Sequence, residues 1–196
     1  MRWDIINYLI EKNKYIDYLE IGVQDYYSCC AKIQAPKKTS VDPFPRNLCD
    51  FIGTSDDFFN QLDENVKYDI IFIDGLHQAE QVSKDIYNSL KHLKPNGTIV
   101  VHDCLPSSEK MQEREDHGGE WTGDVWKAIA KLKSYRSELN IKVVNHDYGC
   151  GIIQFGHQDL IKLQENLDYA YFSENKNRIM SVISYDEFLN IYNGKN

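Results

Sequence analysis

Tyr68-Asp69-Ile70-Ile71-Phe72-Ile73-Asp74, running on into Gly75-Leu76-His77, is the stretch from which the fold can be read. Ile70 to Ile73 are apolar without interruption, so the segment is predicted to be a strand buried on both faces, as in a parallel sheet. Beyond it Val82, Ile86, Leu90 and Leu93 recur at helical spacing, and Lys91, His92 and Lys94 gather where a helix C-terminus favours cations. Pro95-Asn96-Gly97 is read as the stop, and Thr98-Ile99-Val100-Val101-His102-Asp103 as a second buried strand. Asp124 to Leu132, with Val125, Ile129 and Leu132 on one face, is again helical. Strand, helix, strand, helix is the pattern of a doubly wound α/β sheet.

The flanks extend this pattern. Trp3, Ile6, Leu9 and Ile10 predict an N-terminal helix within residues 1–14. Tyr15 to Gly22 and Thr39 to Asp42 read as short strands, closed by Gly22 and Pro43. Downstream, Ile141 to Val144, a polar turn at Asp147-Tyr148-Gly149 and Gly151 to Phe155 predict a hairpin that closes the sheet with an antiparallel edge. The tail from 157 to 196, with Leu160, Leu163, Ile183, Phe188, Leu189 and Ile191, is expected to pack back as helices. The chain is thus read as one domain: a helix over 1–14, a Rossmann-like core over 15–156 and a C-terminal helical extension over 157–196.

Composition narrows the function. With 22 Lys and Arg against 30 Asp and Glu the net charge is −8, and no basic run supplies the electrostatic footprint that phosphate backbones or anionic lipid require. Neither a nucleic-acid nor a membrane partner is expected. Asp4, Glu11 and Lys12 interrupt the first helix where a signal peptide would be apolar, so a cytoplasmic location is expected. Cys29, Cys30, Cys49, Cys104 and Cys150 lack zinc spacing and read as reduced thiols that mostly pack. The 13 tyrosines offer material for a homo-oligomer contact.

In open parallel sheets, ligands bind beyond the carboxyl ends of the strands. Here those ends carry Glu20-Ile21-Gly22, Asp42, Asp74-Gly75-Leu76-His77 and His102-Asp103. Each acid alone has a plainer reading as a turn or helix cap. Their recurrence at four strand ends favours a site.

Tyr18-Leu19-Glu20-Ile21-Gly22-Val23, Val41-Asp42-Pro43, Gly53-Thr54-Ser55-Asp56-Asp57-Phe58-Phe59, Ile73-Asp74-Gly75-Leu76-His77, Val101-His102-Asp103-Cys104 and Gly123-Asp124-Val125-Trp126-Lys127 occur in that order. Together they resemble class I S-adenosylmethionine-dependent methyltransferases, nearest the bacterial branch whose fourth strand ends in Asp-Gly-x-His. The resemblance implies a seven-stranded sheet of order 3-2-1-4-5-7-6, the last strand reversed, with helices on both faces. It places Glu20 and Gly22 at the methionine moiety of the cofactor, Asp42 at the ribose hydroxyls, Ser55 and Asp56 at adenine, and Asp74 near the reacting methyl. Ile21, Ser28, Pro43 and Gly75 complete the implied cofactor-binding set. One departure stands out: Gln24 and Tyr26 occupy places where the family carries further glycines, and Tyr26 is expected either to shield the cofactor or to obstruct it.

For a hydroxyl acceptor the chain must also remove a proton. His77, with an imidazole that titrates near neutrality, is the implied base; a helix cap is the equal alternative. Asp74 and Asp103, the other catalytic candidates, end neighbouring strands. As a pair they are candidate ligands for a divalent cation such as magnesium. Cys104, beside Asp103, is too soft for that ion, and His102 is expected to point away from Asp103 as its neighbour in a strand. The charged segment from Leu105 to Gly123 is expected to cover the acceptor, with Trp121 lining a pocket and Trp126 in the core. An O-methyltransferase of a small hydroxylated acceptor, such as a sugar or glycan precursor, is the leading function. A cofactor-binding module without catalysis stays open. A nicotinamide-dependent oxidoreductase is disfavoured, because no Gly-x-Gly-x-x-Gly follows the first strand.

Overall fold

A computed structural model describes residues 1–193; the last three residues of the predicted C-terminal extension lie outside it. The chain opens with α1 (Arg2–Asn13), followed by β1 (Asp17–Ile21), β2 (Lys37–Asp42), β3 (Phe51–Ile52), α2 (Ser55–Gln61), β4 (Tyr68–Ile73), α3 (Ala79–Lys91) and β5 (Leu93–Val101). It closes with α4 (Val125–Tyr135), β6 (Leu139–Val144), β7 (Cys150–Phe155), α5 (Tyr169–Met180), β8 (Val182–Ile183) and α6 (Tyr185–Asn193). The strands form one sheet of order β3-β2-β1-β4-β5-β7-β6-β8. β7 runs antiparallel to both β5 and β6, and the remaining pairs are parallel.

Period-two alternation divides the core between the two faces. Leu19, Ile21, Ile71, Ile73, Ile99 and Val101 meet α2, α3, α4 and α5 on one side. Tyr18, Ile70, Phe72 and Val100 meet α1 and α6 on the other. The uninterrupted apolar run of β4 is therefore needed by both layers at once. Trp126 of α4 is fully buried and packs on Phe172 of α5 at 4.7 Å between ring centroids.

Two boundaries differ from the sequence reading. The helix predicted to end at Pro95-Asn96-Gly97 stops at Lys91, and Leu93 belongs to β5, where its apolar side chain is buried under the sheet. A register shift between Tyr68 and Ile70 absorbs the irregular start of that strand. The C-terminal extension is not wholly helical: β8 adds an eighth strand parallel to β6, with Val143 beside Val182 and Val144 beside Ile183. Two residues between helices give a periodicity signal too short to register in sequence.

The centre and the edge of the sheet set a simple contrast in stability. Truncating Phe72, which is fully buried, to alanine is expected to cost about 3–5 kcal/mol. Ile52→Ala, at an edge residue 71% exposed, should stay within about 0.5 kcal/mol of the parent. Urea denaturation of the two variants checks both values.

Candidate active site

The parallel ladder continues past the strand ends. Gly22 N donates to Val41 O at 2.9 Å, Gly53 N to Asp42 O at 3.1 Å, Asp74 N to Ile21 O at 2.8 Å and His102 N to Ile73 O at 3.0 Å. The turns leaving β1, β3, β4 and β5 are thereby held at one level. They open on a cavity of about 900 Å³. Glu20, Ile21, Gly22 and Ser28 line it on the β1 side, Asp42 and Pro43 at the end of β2, Ser55 and Asp56 at the start of α2, and Asp74, Gly75, His77 and Asp103 beyond β4 and β5. No residue assigned to the site from sequence falls elsewhere.

Gly22 explains why this turn admits no side chain. Its φ is +86°, and a Cβ there would lie 2.2 Å from the carbonyl oxygen of Asp74. Gln24 takes φ +46°, the left-handed conformation that a further glycine would adopt without cost. Tyr26, expected to shield or obstruct the cofactor, is not among the residues that line the cavity. Its N–H donates to Asn47 Oδ1 at 2.9 Å and its ring packs on the α1 side of the core, away from the cavity wall.

Each carboxylate is held by the chain. Asp42 accepts the Gln24 N–H at 2.8 Å on one oxygen and the Phe44 N–H at 2.7 Å on the other, which leaves a lone pair on each for a ligand. Glu20 is 1% exposed and accepts Tyr18 OH at 2.5 Å; burial pushes its carboxyl up to about 7, with the Tyr18 hydrogen bond acting against that rise. Ser55 Oγ donates to buried Asp85 at 2.6 Å, and Gln81 Nε2 donates to Asp85 at 3.0 Å and Asp56 at 3.3 Å. Burial raises the Asp85 carboxyl to about 6.

At the β4 and β5 ends lies a denser cluster. His102 Nδ1 is 3.2 Å from both Asp74 Oδ1 and Asp103 Oδ1. His77 places Nε2 3.5 Å from Asp74 and Nδ1 3.4 Å from Asp103, and its ring stacks on Trp121 at 4.7 Å. The expectation that His102 and Asp103 diverge is overturned. β5 ends at Val101, and Asp103 turns through φ +60°, so strand alternation no longer separates the two side chains. Burial alone would lower the His102 imidazole, but Asp74, Asp103 and Asp147 raise it well above its ordinary value. Burial would likewise raise Asp74, yet His102, His77 and Arg2 hold it well below the usual carboxylate range. His77, opposed by burial, is raised by Asp74 first and Asp103 second.

Sequence reasoning missed two members of this cluster. Arg2, from the first turn of α1, sets Nε 3.4 Å from Asp74 and Nη1 3.4 Å from Asp147. Asp147, in the β6–β7 turn at φ +50°, also accepts the Arg2 backbone N–H at 2.7 Å. The only local signals were a lone arginine ahead of an apolar helix face and an ordinary turn aspartate.

The donor set does not fit magnesium. Asp74, His102 and Asp103 bring ligand atoms within 4.8 Å of one another, but one is an imidazole, and magnesium takes oxygens. Cys104 is no alternative, since its buried thiol donates to Val101 O at 3.3 Å. Both oxygens of Asp74 and both of Asp103 face a guanidinium or imidazole nitrogen within 3.5 Å. A divalent ion would have to displace those positive groups.

The Leu105–Gly123 segment forms one wall of the cavity through Asp116, Gly119, Glu120 and Trp121. Arg114 ties it to Glu80 and Asp124, and Tyr148 OH donates to Glu120 at 2.6 Å. The residue that follows it fixes the base candidate. Asp124 N donates to His77 O at 3.1 Å, and Asp124 Oδ1 accepts the N–H of Ala79, the first residue of α3, at 2.8 Å.

With this geometry in place, likeness to known proteins is informative. Residues 19–104 match the family described as a methyltransferase domain, a span from within β1 to the turn after β5. No curated protein matches the chain in sequence. Among solved structures, it is similar to the O-methyltransferase TomG of Streptomyces achromogenes, involved in tomaymycin synthesis and bound to S-adenosylmethionine. Identity is 14%, 79% of each chain is covered and the TM-score is 0.59. The methyltransferase PaMTH1 of Podospora anserina, bound to S-adenosylhomocysteine, is 15% identical over 79% of this chain and 78% of its own, with TM-score 0.59. An O-methyltransferase of Bacillus cereus, also with S-adenosylhomocysteine, is 14% identical over 79% and 80%, with TM-score 0.58. The match over residues 19–104 is to a methyltransferase domain, and the chain shares its Rossmann-like fold with these structures.

Gly123 has φ +57°, and a Cβ there would lie 1.9 Å from His77 O. Gly123→Ala is therefore expected to destabilise the protein by about 1–3 kcal/mol and to displace His77. Thermal unfolding reads the first effect, and the His77 imidazole resonances in NMR read the second.

Proposed function

We infer that the protein is an S-adenosylmethionine-dependent O-methyltransferase of a small hydroxylated acceptor, of the sugar or glycan-precursor type, with His77 as general base. The observation that carries this reading is the single cavity into which every residue assigned from the sequence pattern falls. Its chemistry suits the cofactor. Buried carboxylates complement an ammonium and a sulfonium, and Asp42 retains two lone pairs for a ribose diol. When bound, S-adenosylmethionine supplies the methyl carbon, which passes to the acceptor oxygen as the carbon–sulfur bond breaks and its electron pair stays on sulfur.

The chain does the rest. Asp74 and Asp103 flank His77 within 3.5 Å, raising its basicity and stabilising the imidazolium formed when it takes the acceptor proton. Trp121 stacks against the ring and limits its orientation. Trp121, Tyr148, Asp116 and Glu120 bound the cavity near this point. Aromatic surface beside carboxylate acceptors suits a hydroxylated ring better than a phosphorylated group, and the net charge of −8 likewise favours a small molecule over nucleic acid.

Calorimetry with S-adenosylmethionine, S-adenosylhomocysteine and NAD tests the reading: the first two are expected to bind and NAD is not. Because the Glu20 carboxyl is held near 7 and must ionise to accept the ligand ammonium, affinity for S-adenosylhomocysteine should rise as pH passes upward through about 7. Glu20→Gln should abolish that rise. The same raised pKa makes the stability contribution of Glu20 greatest below its ordinary value of 4.5, and that contribution is lost as pH rises through about 7. With an acceptor found by screening, His77→Ala should lower kcat by about 100-fold or more. The parent pH–rate profile should rise on a limb centred above the ordinary 6.5 of histidine. A protein that binds the cofactor and methylates nothing would favour a module without catalysis.

A further inference from the structure

Among the described residues, Arg2 is the only lysine or arginine that lines the cavity. It reaches there from α1, outside the segment of the chain that matches the methyltransferase family. Its backbone N–H is anchored on Asp147 at 2.7 Å, so the helix start is fixed against the β6–β7 turn. The side chain is 21% exposed, and it makes its side-chain hydrogen bonds through Nη1. Nε is buried and has no hydrogen-bond partner, although Asp74 lies 3.4 Å away. Two carboxylates thus hold the guanidinium in place while its donor fork is incompletely used.

Its position bears on the cofactor. Arg2 stands beside Asp74, at the mouth of the turn that carries Gly22, on the β1 side where Glu20 also faces the cavity. Resting on the methyltransferase reading, this is the end that receives the amino-acid arm of the ligand. That arm bears an ammonium and a carboxylate. Glu20 and Asp74 suit the cation, but neither accommodates the anion. A guanidinium matches a carboxylate in charge and in planar donor geometry. We propose that Arg2 binds the methionine carboxylate of the cofactor, which makes the N-terminal helix part of the cofactor site. Arg2 is then a binding residue that discriminates for the complete amino-acid arm, and its backbone anchor on Asp147 sets its reach.

Calorimetry on the full chain in a chelating buffer tests this with three ligands: S-adenosylhomocysteine, its decarboxylated counterpart, and methylthioadenosine, which lacks the whole arm. The parent protein is expected to prefer S-adenosylhomocysteine over the decarboxylated compound by about 10- to 100-fold. Arg2→Met should erase that preference by weakening S-adenosylhomocysteine alone, with the other two ligands held to within about twofold of their parent affinities. Arg2→Lys should restore part of the preference, because it returns the charge without the fork. The proposal is overturned if the parent does not distinguish the first two ligands, a result that needs no variant to fold. It is also overturned if Arg2→Met weakens all three ligands equally, the mark of a merely structural residue. Failure of the parent to bind any of the three would instead remove the methyltransferase reading, and this proposal with it.

Discussion

Mutual neutralisation among buried charges governs the rim of the cavity. Asp74, Asp103 and Asp147 lie together with His102, His77 and Arg2, and any one of them taken out of water alone would cost several kcal/mol. Set among partners at 3.2 to 3.7 Å, each charge has an opposite one beside it. The cluster joins elements distant in sequence: α1 supplies Arg2, the ends of β4 and β5 supply Asp74 and His102, and the β6–β7 turn supplies Asp147. Packing of the two faces of the sheet is therefore tied to charge balance in the cavity. A deep apolar core brings the elements together, and the ionic network decides how their last residues are turned.

Backbone conformation does the fine placement. Gly22 lets the β1 turn press against the carbonyl of Asp74, Gly123 lets the α4 approach press against that of His77, and Asp103 leaves its strand in a left-handed turn. Such conformations are costly in residues with side chains and persist where surrounding contacts dictate them. In each case the result is the same: a carboxylate or imidazole is carried out of the regular sheet and delivered to a common point. At Gln24 the turn after β1 takes a left-handed conformation without glycine, with Asp42 holding the backbone by its N–H.

Strand ends were legible in the sequence because burial on both faces leaves a simple record, a run of apolar residues closed by an acid. The long helices were legible from their period, and Trp126 from its place on one. What escaped depended on three-dimensional convergence. Arg2 carries no periodic mark, since its role comes from where the start of α1 docks. Asp147 reads as turn chemistry, which it also supplies. The juxtaposition of His102 and Asp103 defeats an alternation argument, because that argument holds only while the backbone remains extended. Tyr26 stands apart for a related reason: a bulky residue in a ligand loop suggests a place in the cavity wall, yet loop direction sets its half-buried ring against the α1 side of the core.

The eighth strand has a meaning of its own for the behaviour of the protein in concentrated solution. Without β8, the six-residue β6 would end the sheet, with one flank of its amides and carbonyls unpaired over apolar alternation, a ready template for recruiting strands from other molecules. Two residues of β8 cover Val143 and Val144, and at the opposite margin β3 is also only two residues long. Both outermost strands are thus only two residues long, which limits the length of edge they offer to a strand from another molecule.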